Sequence, residues 1–270
     1  MKSIGLLYRT LTNYKISQLI YRLYYKVIKK KEIESQSFTN SPKKINSKSI
    51  SLTNKLFFNQ PKYRISNDKV TFNILNTNLE GNLKTIWRKK EIPDLINFNL
   101  NYLGFLSSPL PLEKKKLLFE SHIESSKKGI NKFSYEPFVV SVKLIECIRF
   151  LTLHSIKKLK YDTFLFSQAK FLLKRLEKDL LGNHYLFNGL GLLYAAYYFN
   201  DKIFLSTAEK IIIEQLSIQF LNDGMHYELS PMYHVIIINE LLKCYDLLLK
   251  NNQDNEDAKM LIKDKLEYAM

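Results

Sequence analysis

An all-α chain of antiparallel helical hairpins, preceded by an irregular N-terminal arm, is what this sequence predicts, and three observations predict it. Helix breakers are scarce, with 8 Gly and 7 Pro in 270 residues, while Leu, Ile, Lys and Tyr abound; that balance favours helix. From about residue 95 onward the apolar residues keep helical spacing almost to the last residue. In the second half, helix-length apolar segments alternate with brief Gly, Asn or Asp punctuation.

The elements follow in order. Ile16, Leu19, Ile20, Leu23 and Val27 recur at three and four residues, with Lys15, Arg22, Lys26 and Lys29 among them. This reads as a basic amphipathic helix ending in Lys29-Lys30-Lys31. Such a helix lies on a membrane or packs on the body, and packing is the expectation because it is the commoner case. Residues 32–66 are rich in Ser, Asn and Lys and read as a linker or irregular arm, so 1–66 is separated from a main body at 67–270. Val70, Phe72 and Ile74 alternate, which predicts one short extended segment. Helical segments are expected near 137–154, 163–181, 185–199, 203–221, 231–250 and 256–270. The punctuation between them is Leu181-Gly182-Asn183, Asn200-Asp201, Asn222-Asp223-Gly224 and Asn251 to Asp257. Connections this short make neighbouring helices antiparallel, and hairpins of roughly 45 residues approach the period of helical repeat arrays. A stack or ring of α-hairpins results. Closing a ring takes more hairpins than are present, and Ala258–Met270 stops in mid-pattern without a Gly or Asn cap, so the body is expected to be truncated at its C-terminal end.

Composition narrows the function classes. At 46% hydrophobic and 25% charged residues, the chain is ordinary for a globular protein and excludes wholesale disorder and collagen-like sequence. Cys147 and Cys244 are too few for a disulfide scaffold or a Cys-rich metal site. The net charge is +15, but residues 1–60 hold 12 Lys and Arg against 2 Asp and Glu. Two thirds of the surplus therefore belongs to the arm. It points to a solvated Lys-rich face or to contact with nucleic acid, an anionic membrane or an acidic polymer. The early apolar run Ile4–Leu7 falls short of a secretory h-region, so a cytoplasmic location is expected. The apolar run Tyr185–Phe199, broken among side chains only by Asn188, is short for a bilayer and reads as a buried core helix. Tyr194, Tyr197 and Tyr198 on it read as core rather than as sugar platforms. Walker, His-Glu-x-x-His, Gly-x-Ser-x-Gly and Rossmann patterns do not occur.

Two stretches gather polar, chemistry-bearing residues at helix starts. One is Gly182-Asn183-His184; the other runs Asp223-Gly224-Met225-His226-Tyr227-Glu228-Leu229-Ser230-Pro231-Met232-Tyr233-His234. Asn183 reads as the cap of a helix beginning at His184, and Ser230-Pro231 as another helix start. Capping alone does not call for Asn-His in one loop and His, Glu, Tyr and His in the next. His226 and His234, eight apart, make weak metal spacing.

These residues resemble the heparinase II/III-type and alginate-lyase-type polysaccharide lyases, in the helical-toroid part. That family carries an Asn-His pair opening a toroid helix, and about fifty residues later a segment Asp-Gly-x-x-x-Glu-x-Ser-x-x-Tyr-His. Asn183-His184 matches the first, and Asp223, Gly224, Glu228, Ser230, Tyr233 and His234 match the second. Asn97-Phe98-Asn99-Leu100-Asn101-Tyr102, Glu136-Pro137-Phe138-Val139-Val140-Ser141 and Gln18-Leu19-Ile20-Tyr21-Arg22-Leu23 resemble further family segments. Met225 stands where the family often has Gly, and Leu229 where it often has Arg; the second change removes a cation.

The resemblance implies an incomplete (α/α) toroid, and β-elimination of 4-linked uronate-containing acidic polysaccharide. A base takes the C5 proton, alpha to the carboxylate, and the C4 oxygen leaves. Asn183 and His184 are then the donors that neutralise the carboxylate. Tyr233 is the proton carrier, although its ordinary pKa of about 10 must fall or its proton move in concert. His226, Glu228 and His234 bind substrate or support the site. No metal or other cofactor is required. The expected partner is an acidic polysaccharide, with a β-sandwich domain or companion chain completing the cleft as in full-length relatives. No nucleic acid is expected on this reading, while residues 1–31 allow contact with a membrane surface. Related lyases are commonly exported, so the resemblance implies a periplasmic or secreted setting where the N-terminus implies a cytoplasmic one. The alternatives are a non-catalytic remnant that binds acidic glycan, and a basic-arm protein that meets an anionic membrane or nucleic acid.

Overall fold

The computed structural model describes residues 15–27, 47–53, 63–66, 69–83, 85–88, 92–127, 131–251 and 256–269. The order is α1 (Ile16–Val27), β1 (Tyr63–Ser66), β2 (Lys69–Ile74), β3 (Thr77–Asn82), α2 (Asp94–Asn101), α3 (Leu112–Lys127), α4 (Pro137–Leu153), α5 (Leu159–Lys174), α6 (Gly182–Phe199), α7 (Lys202–Gln219), α8 (Pro231–Asn251) and α9 (Glu256–Ala269). Among the described residues the chain is all-α apart from one small sheet, and α4 to α9 form the expected run of hairpins. The Lys29-Lys30-Lys31 end of the first helix, and residues 32–46 and 54–62 of the linker, lie outside the described residues.

Helix α6 is the centre of the layer. From Tyr185 to Phe199 every residue is buried, which is why its sequence is nearly continuous in apolar residues instead of striped. Gly191 permits the close approach of α4: a Cβ there would stand 2.7 Å from the Ser141 Cα. Tyr194, Tyr197 and Tyr198 are core residues. The Tyr194 hydroxyl donates to the Lys243 carbonyl at 2.9 Å and that of Tyr198 to Asp162 Oδ1 at 2.7 Å. At the far end, Asn200 turns the chain in the left-handed region (φ 53°). Asp201 Oδ1 then accepts from the Ile203 and Phe204 N–H groups at 2.8 and 3.0 Å, so the Asn-Asp punctuation both stops one helix and caps the next.

Two elements differ from expectation. The segment expected at 163–181 starts at Leu159 and ends at Lys174. Residues 175–181 form a turn instead, because their polar groups find tertiary partners described below. The single extended segment is the middle strand of an antiparallel meander, with Tyr63 opposite Phe72 and Phe72 opposite Leu79. Val70, Phe72 and Ile74 do face the core, as their alternation predicts. The third strand, Thr77–Asn82, has one apolar side chain, Leu79, and so no alternating signal. Its hairpin turns on Leu75-Asn76, both at positive φ; Leu in the first position hides a turn usually marked by Asn or Gly. The boundary drawn at residue 66 falls inside the β1–β2 hairpin.

The N-terminal arm is stitched to the helical layer. Ser47 Oγ donates to Asp162 Oδ2 at 2.9 Å, Lys48 N–H to the Tyr198 carbonyl at 2.8 Å, and Thr53 N–H to Asp246 Oδ2 at 2.7 Å. Helix α1 packs on the body as expected, but by the opposite face. Gln18, Tyr21 and Tyr25 meet the protein, while Ile16, Ile20, Leu23, Tyr24 and Val27 are exposed.

Candidate active site

The first motif sits on a strained turn that the arm holds in place. Leu181 has φ 61° and ψ −155°, a region that costs any residue with a Cβ and persists only where surroundings impose it. Gly182 follows at φ 56° and begins α6. The turn is closed by the Leu181 N–H donating to the Glu177 carbonyl at 2.8 Å. Helix α1 grips it from outside. Gln18 Nε2 donates to the Leu180 and Asp179 carbonyls at 3.3 and 3.4 Å, and the Tyr25 hydroxyl to the Leu176 carbonyl at 2.5 Å. The Arg175 guanidinium lies 3.5 Å from the centre of the Tyr25 ring, and burial pushes the Tyr25 hydroxyl up to about 12. Asn183 is not the cap of α6. Leu181 holds that position, without a side-chain cap bond, which leaves the Asn183 amide for other work.

Glu177 organises the imidazole. Its Oε1 lies 2.9 Å from His184 Nδ1, and its Oε2 accepts from Asn188 Nδ2 at 2.9 Å. Asn188 is fully buried; it also donates to Ser141 Oγ at 3.1 Å and accepts the Glu177 N–H at 2.7 Å. The carboxylate is thus pinned, and the ring with it. The hydrogen bond to Glu177 raises the His184 pKa above its ordinary value against the cost of burial, and the charges of Glu177, Glu228 and Asp179 add to the rise. About half of the His184 side chain remains exposed. Behind it the Phe138 ring packs with centroids 4.9 Å apart, and Tyr102 meets Phe138 edge-on at 5.9 Å. Burial, then the Glu177 charge, pushes the Tyr102 phenol up, so it is a neutral wall.

The second motif folds as a loop whose imidazoles bind its own backbone. His226 is wholly buried. Its Nδ1 accepts the Glu228 N–H at 3.4 Å, and its Nε2–H donates to Gln219 Oε1 at 3.2 Å. Burial, with His234 nearby, holds its pKa down at about 4, so the ring is neutral. His234 Nδ1 accepts the His226 N–H at 3.2 Å, and its Nε2–H donates to the Ala269 carbonyl at 3.2 Å, tying the loop to α9. Ser230 caps α8 as the sequence predicts: its carbonyl accepts the His234 N–H at 2.9 Å and its Oγ the Tyr233 N–H at 3.5 Å. Tyr233 stands in the first turn of that helix with its side chain exposed.

The two turns meet. Asn183 Nδ2 donates to Glu228 Oε1 at 3.0 Å across 45 residues of sequence. A Cβ on Gly182 would lie 2.8 Å from the Tyr227 hydroxyl, which therefore rests against the start of α6. Among the described residues the buried Asn183 Oδ1 atom has no hydrogen-bond partner. Asn183, His184 and Glu228 form one cluster, and Tyr233 rises from the helix that follows it. His226 and His234 lie beneath, committed to the loop. Each of the three further segments contributes a contact to this region: Gln18 on the strained turn, Tyr102 and Phe138 behind His184, and Ser141 on Asn188. Sequence reasoning missed Glu177 and gave Tyr227, inside the second stretch, no role. Asn188, the lone polar side chain of an otherwise apolar run, was the one available signal for the buried network.

Comparison with known proteins shows the family of the chain. The family model described as Heparinase II/III N-terminus matches residues 124–268. Among solved structures, heparan sulfate lyase HepC from Pedobacter heparinus is similar at 19% identity, over 67% of this chain and 33% of that one, with a TM-score of 0.43. A mutant of the same lyase matches over the same shares with a TM-score of 0.44. The chain thus spans about a third of the length of that lyase. No curated protein matches.

Proposed function

Because the chain belongs to the heparinase II/III N-terminus family, we propose that it acts on an acidic, uronate-containing polysaccharide by β-elimination, with Asn183 and His184 on the carboxylate and Tyr233 of α8 as the proton carrier. The observation that carries this reading is the Asn183–Glu228 hydrogen bond. The amide assigned to a sugar carboxylate already serves a carboxylate of the chain, and Nδ2 carries a second N–H for the substrate. His184, whose pKa the hydrogen bond to Glu177 raises, adds a ring N–H donor at the same place. An amide donor and an imidazole donor opposite the C5 carboxylate offset its charge and stabilise the carbanion-like transition state. The Tyr233 phenolate takes the C5 proton and becomes a phenol; the C4–O bond breaks as the C4–C5 double bond forms, and that phenol gives the proton to the departing oxygen, restoring the phenolate. Glu228, His226 and His234 are supporting residues that hold the second turn against the first. Leu229, where the family often has Arg, leaves the cations for a polyanion to be supplied elsewhere, consistent with a cleft completed by a further domain or companion chain.

The test follows the ultraviolet absorbance of the unsaturated uronate product over heparan, alginate and related polymers. Cleavage of one of them is expected, abolished by Tyr233→Phe and reduced about 10²–10³-fold by Asn183→Ala. Glycan binding that survives Tyr233→Phe, with no product from the unaltered protein on any polymer, would replace this reading with that of a non-catalytic binding protein.

A further inference from the structure

Helix α1 is amphipathic the wrong way round for a surface helix. Ile16, Leu23 and Val27 are 78%, 65% and 80% exposed, and Ile20 and Tyr24 lie on the same stripe, also exposed. At 100° per residue these five side chains occupy one arc of the helix. Gln18, Tyr21 and Tyr25 occupy the opposite arc and bind the protein. Lys15, Arg22 and Lys26 share one flank between them, and Lys15 and Lys26 are exposed. Ordinary packing buries the apolar arc and wets the polar one. Here the polar arc is spent on the turn that leads into Asn183, and the apolar arc is presented outward.

We propose that α1 is an interfacial helix that docks the protein flat on an anionic lipid bilayer. A stripe of large apolar side chains bordered by Lys and Arg is the pattern that sinks partway into the headgroup–acyl boundary while its cations meet lipid phosphates. Charge selects this occupant over the rivals. Residues 1–60 carry a net +10, and α1 itself has no acidic residue, so a second copy of the helix brings no counter-charge. A nucleic acid meets the cations but leaves the apolar stripe in water. Among the described residues no helix is long and apolar enough to cross a membrane, so the contact is with the surface. The inference stands apart from the lyase reading. Taken with it, docking brings the strained turn, which α1 grips by its other face, to the bilayer surface.

The experiment is sedimentation of the full chain with vesicles of phosphatidylcholine and phosphatidylglycerol, against phosphatidylcholine alone. Binding to the mixed vesicles is expected, weakened at least about 100-fold by the triple change Ile20→Ser, Leu23→Ser, Val27→Ser. Lys15→Ser with Lys26→Ser should weaken it about 30-fold and flatten its salt dependence. These side chains point outward, so circular dichroism and the thermal midpoint should match the unaltered protein. Binding of the unaltered chain to neither vesicle overturns the proposal, as does mixed-vesicle binding that the triple change leaves intact. A dimer in solution that the triple change converts to a monomer, without vesicle binding, assigns the stripe to self-association and also overturns it. Loss of cleavage by Tyr233→Phe leaves the vesicle result untouched, so the two readings fail separately.

Discussion

His184 and His226 sit on turns that touch, yet their environments shift them in opposite directions. His184 lies beside a pinned carboxylate and half in solvent, and its pKa is raised. His226 is enclosed, faces a neutral amide and a second imidazole, and is held near 4. The ring more readily protonated is therefore the one beside Asn183, and the neutral ring braces the loop that delivers Glu228. Residue type alone does not distinguish these roles; the partner of each ring nitrogen does.

The comparison breaks most severely at Glu177. Glu177→Gln removes the charge that raises the His184 pKa and disturbs a buried network with Asn188. A His184 pKa displaced downward by nuclear magnetic resonance titration is expected, with the alkaline limb of any cleavage profile displaced to lower pH. A stability loss of about 1–3 kcal/mol should accompany it. An unchanged His184 titration would show that Glu177 does not set the charge.

Gly182→Ala should cost about 1–3 kcal/mol, because Ala at φ 56° is strained and its Cβ meets the Tyr227 hydroxyl. Adding Tyr227→Phe removes the oxygen and should recover the steric part of the loss but not the backbone part. No recovery in the denaturation midpoint would mean that the two turns are not pressed together there.

The two imidazoles should also give opposite pH signatures. The folded pKa of His226 lies below its unfolded value, so its contribution to stability is present above about 6.5 and is lost as pH falls toward 4. The folded pKa of His184 lies above its unfolded value, so its pairing with Glu177 contributes fully below about 6.5 and is lost as pH rises through the raised value. Thermal midpoints across this range should show His226→Gln flattening the acid side and Glu177→Gln the other. The same sign from both would defeat the assignment.

The smallest effect is expected at Leu229, which is 66% exposed in the left-handed region at φ 53°. Leu229→Gly relieves that conformation without uncovering a core side chain. A gain of about 0.5 kcal/mol in chemical denaturation is expected, since the greater chain entropy of Gly offsets part of the relief.

Much of this was legible along the chain. The Asn200-Asp201 and Ser230-Pro231 signals act as read, because capping is satisfied by atoms a few residues apart. The burial of Tyr185–Phe199 follows from its apolar run, and the motifs that carry the family resemblance were visible by spacing. What the one-dimensional pattern left hidden was where α5 ends, which face of α1 is outward, that Glu177 holds His184, and that Asn183 reaches Glu228 instead of capping its helix.

Local signals reside in the amino-acid order because hydrogen bonds within a turn and the helical period depend on near neighbours; these determined the helices, most of their ends and the identity of the candidate residues. The charge of an imidazole, the persistence of Leu181 in a costly conformation and the outward turn of an apolar stripe depend on groups distant in sequence, Glu177 beside Asn188, Gln18 and Tyr25 against 176–180, and Tyr227 against Gly182. Only the tertiary structure sets those pairings, since their energies arise from enclosure and approach that no single segment carries.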